Sequence, residues 1–179
     1  MANPALRVIH GASLGGSVDP RICAESHGVF RLRRLIEPPL AARACRMHTP
    51  DSLDRIEALI VRFHGRPVSA DDAYQAQYEF LRDLIAPAAN DWDLRTIGPL
   101  WWEFGQRVRH AMNLLAGQPL EFMLEDIHRP LVTAYRIGDP VEASAATQCH
   151  IDLCESATMR LFALASQVRT SPPSVGTGA

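Results

Sequence analysis

The sequence contains no lysine, and its 18 basic side chains are all arginines spread along the whole chain. With 20 acidic residues, the formal net charge is −2. Proteins that bind nucleic acid through its phosphates need a clustered basic surface, because the phosphate charges dominate that affinity. The composition therefore shows no electrostatic sign of nucleic-acid binding.

Long apolar runs and paired cysteine motifs are also missing. No apolar stretch reaches the roughly 18 residues that suggest a membrane-spanning helix. Residues 1–16 lack the charged-then-apolar pattern of a secretory signal. The four cysteines form no CxxC pair, which argues against a zinc ribbon and a thioredoxin-like motif. We expect free thiols, no membrane association and a cytoplasmic location.

Helical periodicity is the main feature that is present. From about Val29 onward, apolar residues recur at spacings of three and four, and no strand-rich block interrupts them. This pattern predicts an all-α protein, an antiparallel bundle of about six to seven helices with short connections. The predicted helical segments cover approximately residues 25–47, 50–65, 69–88, 90–115, 120–138 and 139–168. We expect a kink or a restart at Pro38-Pro39 and an interruption at Gly98-Pro99, because proline removes a backbone donor.

The same pattern divides the chain into three parts. Residues 1–24 are predicted to be an N-terminal extension or linker remnant, and residues 25–168 a helical domain. Residues 169–179 end in TSPPSVGTGA, which is small, polar and rich in proline. Such a segment has too little apolar surface to join a core, so we expect a disordered tail.

The segment IHRPLVTAYRIGDPVEASAATQCHIDL contains two histidines, His128 and His150. It resembles the C-terminal half of the ligand-sensing FCD domain of GntR-type transcription regulators of the FadR subfamily. The segment RRLIEPPLAARACRM is similar to the opening helix of that family, and the resemblance extends over residues 29–167. It implies an FCD-like helical bundle that binds a small-molecule effector and usually forms a homodimer.

The resemblance also implies a metal site, of which only half is present. In the family both histidines bind a metal, and an earlier Asp-x-x-Phe-His pattern supplies two further ligands. This chain has Gln77 and Leu81 at those two places, with Phe80 in register. A glutamine offers only a neutral amide oxygen and a leucine offers no donor. The sequence therefore predicts a degenerate metal site.

Two histidines alone bind a metal ion only weakly. A structural zinc site takes about four protein donors, and an open site about three plus water. Cys154 lies four residues after His150, on the same helical face, and is the available third donor beside His128 and His150. We favour the interpretation of Cys154 as a buried apolar thiol over its interpretation as a metal ligand. We expect no cofactor, with a weakly bound zinc or nickel ion as the alternative.

Helical spacing suggests further side chains for the pocket. Arg33 and Glu37 are four residues apart on the first helix, so they either form an exposed ion pair or reach the cavity. In the cavity, Arg33 would bind a carboxylate, and Arg107 is a second candidate for an anion. Leucine in place of a histidine ligand favours a larger, more apolar metabolite. The predicted ligand-binding residues are Arg33, Glu37, Gln77, Leu81, Trp101, Arg107, His128 and His150.

Two functions fit these features. One is a small-molecule-binding domain derived from a GntR/FadR-type regulator, unable to bind DNA by itself because no winged-helix reader is recognised in the chain. The other is a cofactor-independent enzyme (a cyclase, isomerase or lyase of a biosynthetic pathway) with His128 and His150 as acid and base. No serine nucleophile elbow, phosphate loop, dinucleotide fingerprint or HExxH motif indicates another chemistry.

Overall fold

A computed structural model describes residues 20–64, 70–115 and 126–168 of the chain. These residues form six α-helices and no β-strand. The helices are α1 (Pro20–Ala44), α2 (Pro50–His64), α3 (Ala70–Ile85), α4 (Asp91–Leu114), α5 (Arg129–Ile137) and α6 (Pro140–Val168). The predicted all-α helical bundle is confirmed. Most of the predicted extension and the whole predicted tail lie outside the described residues, so the domain boundaries stay a prediction.

Side-chain caps begin α2 and α4 where the sequence predicted. The Asn90 side chain accepts hydrogen bonds from the backbone N–H groups of Trp92 and Asp93, at 2.8 and 3.1 Å. The Asp93 carboxylate in turn accepts from the Asn90 N–H at 2.9 Å, which completes a capping box. Thr49, just before α2, and Ser52, in its first turn, form an equivalent reciprocal pair. These bonds satisfy amide groups that the first helical turn leaves without a partner.

The predicted interruption at Gly98-Pro99 is wrong, and so is a restart of the helix at Pro38-Pro39, while a kink at Pro38-Pro39 stays a prediction. Helix α1 continues through Pro38-Pro39, and α4 continues through Gly98-Pro99. An internal proline costs an isolated helix about 3 kcal/mol. Tertiary packing offsets this cost, because the neighbouring residues Leu40, Ala41 and Ile97 are buried in the core.

Within the described residues, the helix predicted over 120–138 begins only at Arg129. The Asp126 carboxylate accepts hydrogen bonds from the N–H groups of His128 at 3.2 Å and Arg129 at 3.0 Å. Pro130 occupies the first turn, where its missing N–H is not needed. His128 therefore lies immediately before α5 and not inside it. The helix ends at Gly138, whose φ of +71° favours glycine, as predicted.

The main hydrophobic cluster receives side chains from all six helices. Phe80 and Ile97 are fully buried there, and Tyr135 is 2% exposed. Burial of one such large apolar side chain contributes about 2–3 kcal/mol. A smaller cluster around Phe162 joins α4 and α6. No helix among the described residues has the length and apolar character needed to cross a membrane.

Ion pairs connect α1 to α6. Arg34 donates to the carboxylates of Asp152, at 2.7 Å, and Glu155. His27 lies 2.5 Å from Glu155. Burial opposes the charge on Glu155, but hydrogen bonds from Arg34 and His27 outweigh it and lower the pKa of this carboxyl. These contacts hold the two longest helices in one register, which decides which side chains of α1 face α6.

Candidate functional site

Both histidines belong to one buried cluster in the centre of the bundle. His128, just before α5, and His150, on α6, have ring centroids 4.9 Å apart and are 4% and 2% exposed. Phe63 of α2 and Phe80 of α3 contact the His128 ring edge to face, with centroids 4.7 and 5.3 Å away. The structure thus brings together two histidines that lie 22 positions apart in the sequence.

The heptad-like spacing of α6 positions His150. Ala143, Thr147, His150 and Cys154 follow one another at steps of four, three and four residues, so they share one helical face. Ala143 and Thr147 are buried, and the Thr147 hydroxyl donates to the Ala143 carbonyl at 2.8 Å. This face is therefore the one that packs into the bundle, and it brings His150 and Cys154 to the cluster.

His150 contacts a different group with each ring nitrogen. Nδ1 lies 3.3 Å from the carbonyl oxygen of Ile127, and Nε2 lies 3.5 Å from Sγ of Cys154. A carbonyl oxygen can only accept, so Nδ1 carries a proton and donates it. Nε2 is then available to exchange a proton with the thiol.

Burial and mutual attraction act in opposite directions on this pair. Burial disfavours the imidazolium, but the Cys154 thiolate and its hydrogen bond outweigh it and raise the pKa of His150. Burial also disfavours the thiolate, but His150 and Arg33 together outweigh it and lower the pKa of Cys154. Both directions favour a thiolate–imidazolium pair.

Arg33 and Glu37 form a buried ion pair beside the histidines. They are 2% and 3% exposed, so the interpretation as an exposed pair is wrong. Arg33 Nε and Nη2 donate to the two Glu37 oxygens at 2.5 and 3.2 Å, and Trp101 Nε1 donates to the same carboxylate at 2.8 Å. The charge of Arg33 also helps to lower the pKa of the Cys154 thiol. The positive charge of Arg33 is therefore neutralised inside the protein.

The other predicted pocket residues differ in how close they lie to this cluster. Leu81 is 8% exposed and is part of the main core, next to Phe80. Gln77 is half-buried one turn earlier on α3. Arg107 pairs with Glu25 of α1 at 2.8 Å, and no contact within the described residues joins it to the histidines. Arg107 therefore has a structural partner of its own.

Sequence reasoning missed two members of the cluster. Phe63 was not singled out, although it falls in the apolar register at the end of α2 and packs on His128. The Ile127 carbonyl was also missed, because a backbone group has no signature in a residue pattern. The Asp126 cap before α5 is the one local signal that places this carbonyl near His150.

The comparison with protein families tests the relationship that the segment around His128 and His150 suggests. The FCD domain matches residues 28–153, which is most of the chain. The chain belongs to the FCD family. The resemblance to the C-terminal domain of GntR/FadR-type regulators is confirmed, and FCD domains are ligand-binding regulatory domains of such proteins. Comparisons with curated proteins and with solved structures gave no match.

The residues of this FCD domain do not fit the metal site of the family. Across residues 20–64, 70–115 and 126–168, no group of three or more His, Cys, Asp or Glu side chains is arranged to hold a metal ion. His128, His150 and Cys154 thus do not form such a group. Leu81 brings a buried side chain without a donor to one ligand place. A zinc ion needs about three or four protein donors, so this set falls short.

An open groove of about 460 Å³ lies elsewhere on the FCD domain, where the end of α1 meets α2 and α3. Met47, Arg55 and Asp83 line it, and none of the predicted site residues does. Its histidine, His48, is held by contacts with Ser52 and the Leu84 carbonyl. The buried cluster combines titratable groups with apolar rings, so the cluster is the better candidate site.

Proposed function

We propose that this FCD domain binds a small, uncharged and largely apolar organic molecule at the histidine cluster, without a resident metal. The observation that carries the proposal is the charge balance of the cluster. Glu37 already neutralises Arg33 through two hydrogen bonds. A ligand carboxylate would have to displace Glu37 or enter the core without a counter-ion, and both are unfavourable.

The remaining groups suit a neutral ligand. Phe63 and Phe80 offer aromatic surface, while His128, His150 and Cys154 offer donors and acceptors within the same cluster. Small-molecule sites commonly combine apolar walls with a few polar groups that fix the orientation of the ligand. Of the two predicted ligand classes, the larger apolar metabolite is therefore favoured over the carboxylate.

The ligand class is testable with matched pairs of compounds. Carboxylic acids and their methyl esters, of aromatic and long-chain aliphatic types, would be titrated against the purified chain by calorimetry. We expect the esters to bind at least about tenfold more tightly, because a buried carboxylate lacks a free cation. A chelator should leave their binding unchanged. Tighter binding of the acids than of their esters would contradict the proposal.

Two phenylalanines provide the matched variants for this titration. Phe80→Leu alters the cluster, and Phe162→Leu alters the second core cluster, where the phenylalanine is equally buried. We expect ester binding to weaken in Phe80→Leu and to stay unchanged in Phe162→Leu. Equal weakening in both would show that the cluster is not the binding site.

The homodimer, the cytoplasmic location and the lack of DNA binding by this chain alone stay predictions.

The enzyme alternative is supported by the contact between the two imidazoles. At a centroid distance of 4.9 Å, His128 and His150 are near enough to act on one substrate as acid and base. A ligand found by titration would be incubated with the protein in deuterium oxide. Acid–base turnover predicts deuterium at one carbon of the ligand or its product, lost in His150→Gln. An unchanged ligand mass would reject the enzyme alternative for that ligand.

A further inference from the structure

Cys154 has the surroundings of a nucleophile. Its Sγ lies 3.5 Å from Nε2 of His150, and the opposite ring nitrogen is oriented by the Ile127 carbonyl. Nucleophile, base and orienting group are the three parts that activate a side chain for attack. As a residue Cys154 is partly exposed, whereas His150 is buried.

The other described cysteines lack this arrangement. Cys149 is exposed about one and a half turns earlier on α6, and Cys45 is buried with its thiol near the Ala42 carbonyl at 3.5 Å. Cys23 of α1 is half-buried and packs against the cluster around Phe162. None of these three thiols contacts an imidazole among the described residues. The four cysteines are therefore not equivalent, because the fold places a base, His150, next to Cys154.

We propose that Cys154 bonds covalently to the ligand of this site, and that the ligand class is an α,β-unsaturated carbonyl compound. The inference deepens the proposed function and rests on it for the location of the ligand. Such compounds are uncharged and largely apolar, as the charge balance at Arg33 and Glu37 requires. They are also soft electrophiles, which suit a sulfur nucleophile.

The addition step balances with the groups that are present. His150 Nε2 takes the thiol proton, and Cys154 Sγ attacks the β-carbon of the ligand to form one C–S bond. The π electrons of the C=C bond move to the carbonyl oxygen and give an enolate. The proton on His150 then passes to the α-carbon, which leaves a saturated carbonyl compound joined through a thioether. No oxidant, reductant or leaving group is needed.

The probe for this inference is 2-cyclohexen-1-one, a small α,β-unsaturated ketone. The full chain would be treated with the probe, and the mass added to each cysteine-containing peptide would be followed over time. We expect Cys154 to react at least about tenfold faster than the more exposed Cys149. Assistance by a base raises the rate of attack by more than greater exposure does. The substitution Cys149→Ser should leave the rate at Cys154 unchanged.

Two comparisons separate activation by His150 from mere accessibility. His150→Gln should lower the rate at Cys154 by about tenfold or more, while the rate at Cys149 stays the same. In the urea-unfolded wild-type chain, the two cysteines should react at similar rates, since the advantage depends on the fold. This second comparison is independent of whether His150→Gln folds.

The outcomes distinguish this inference from the proposed function. Faster reaction at Cys149, or a rate ratio that persists in urea, would overturn the covalent mechanism even if esters bind the cluster. Selective reaction at Cys154 without binding of any neutral ester would support the nucleophile and contradict the wider proposal. Selective reaction together with ester binding supports both.

Discussion

Replacement of Arg33 by methionine is expected to lower the free energy of unfolding by about 3–5 kcal/mol. The variant leaves the Glu37 carboxylate buried, at 3% exposure, without its cation. Domains of this size are stable by about 5–15 kcal/mol, so the loss is a large part of the total. Urea unfolding followed by circular dichroism measures it. The exposed Arg31, on the same helix, supplies the control variant Arg31→Met.

The double variant Arg33→Met/Glu37→Gln tests the physical reason. Removing both charges eliminates the uncompensated carboxylate, and the glutamine oxygen can still accept from Trp101 Nε1, now 2.8 Å from Glu37. Buried ion pairs can often be replaced by neutral groups at little cost. We therefore expect the double variant to recover at least half of the stability lost in Arg33→Met. A double variant less stable than the single one would show that the buried charge is not the cause.

The second large effect is expected at Gly105, where alanine should destabilise the fold by about 2–3 kcal/mol. A Cβ atom there would lie 1.6 Å from Cε2 of Tyr74. The ring cannot move away freely, because its hydroxyl lies 2.8 and 2.6 Å from the carbonyl oxygens of Trp101 and Trp102. A shift of α4 would also displace Trp101, the hydrogen-bond partner of Glu37.

Gly28 provides the matched control for this substitution. It also lies inside a helix, but a Cβ atom built there meets nothing within 4 Å. Gly28→Ala should therefore leave stability unchanged or raise it by up to about 1 kcal/mol, since alanine is the better helix former. Thermal unfolding of both variants measures the contrast. Equal effects at the two positions would contradict the close approach of Tyr74 to α4.

Sequence reasoning predicted much of the local structure. The predicted helix boundaries at residues 90 and 138 rest on local signals, because the capping partners of Asn90 and Gly138 lie within a few residues. The sequence also shows that Gln77 offers only a neutral amide oxygen and Leu81 no metal donor, since both statements depend only on residue type. The same reasoning failed at residues 126–128, where the Asp126 cap and Pro130 prevail over the apolar pattern.

By itself, the sequence determined the helical class and the FCD relationship, because short-range patterns and residue types carry that information. Only the tertiary structure decided that the Arg33–Glu37 pair is buried and that His150 contacts the Ile127 carbonyl. Helical spacing assigns a side chain to a face but does not say which helix covers that face. The packing of α6 and α4 on α1 determines which helix covers each face. The same packing stabilises α1 as one helix across its two prolines.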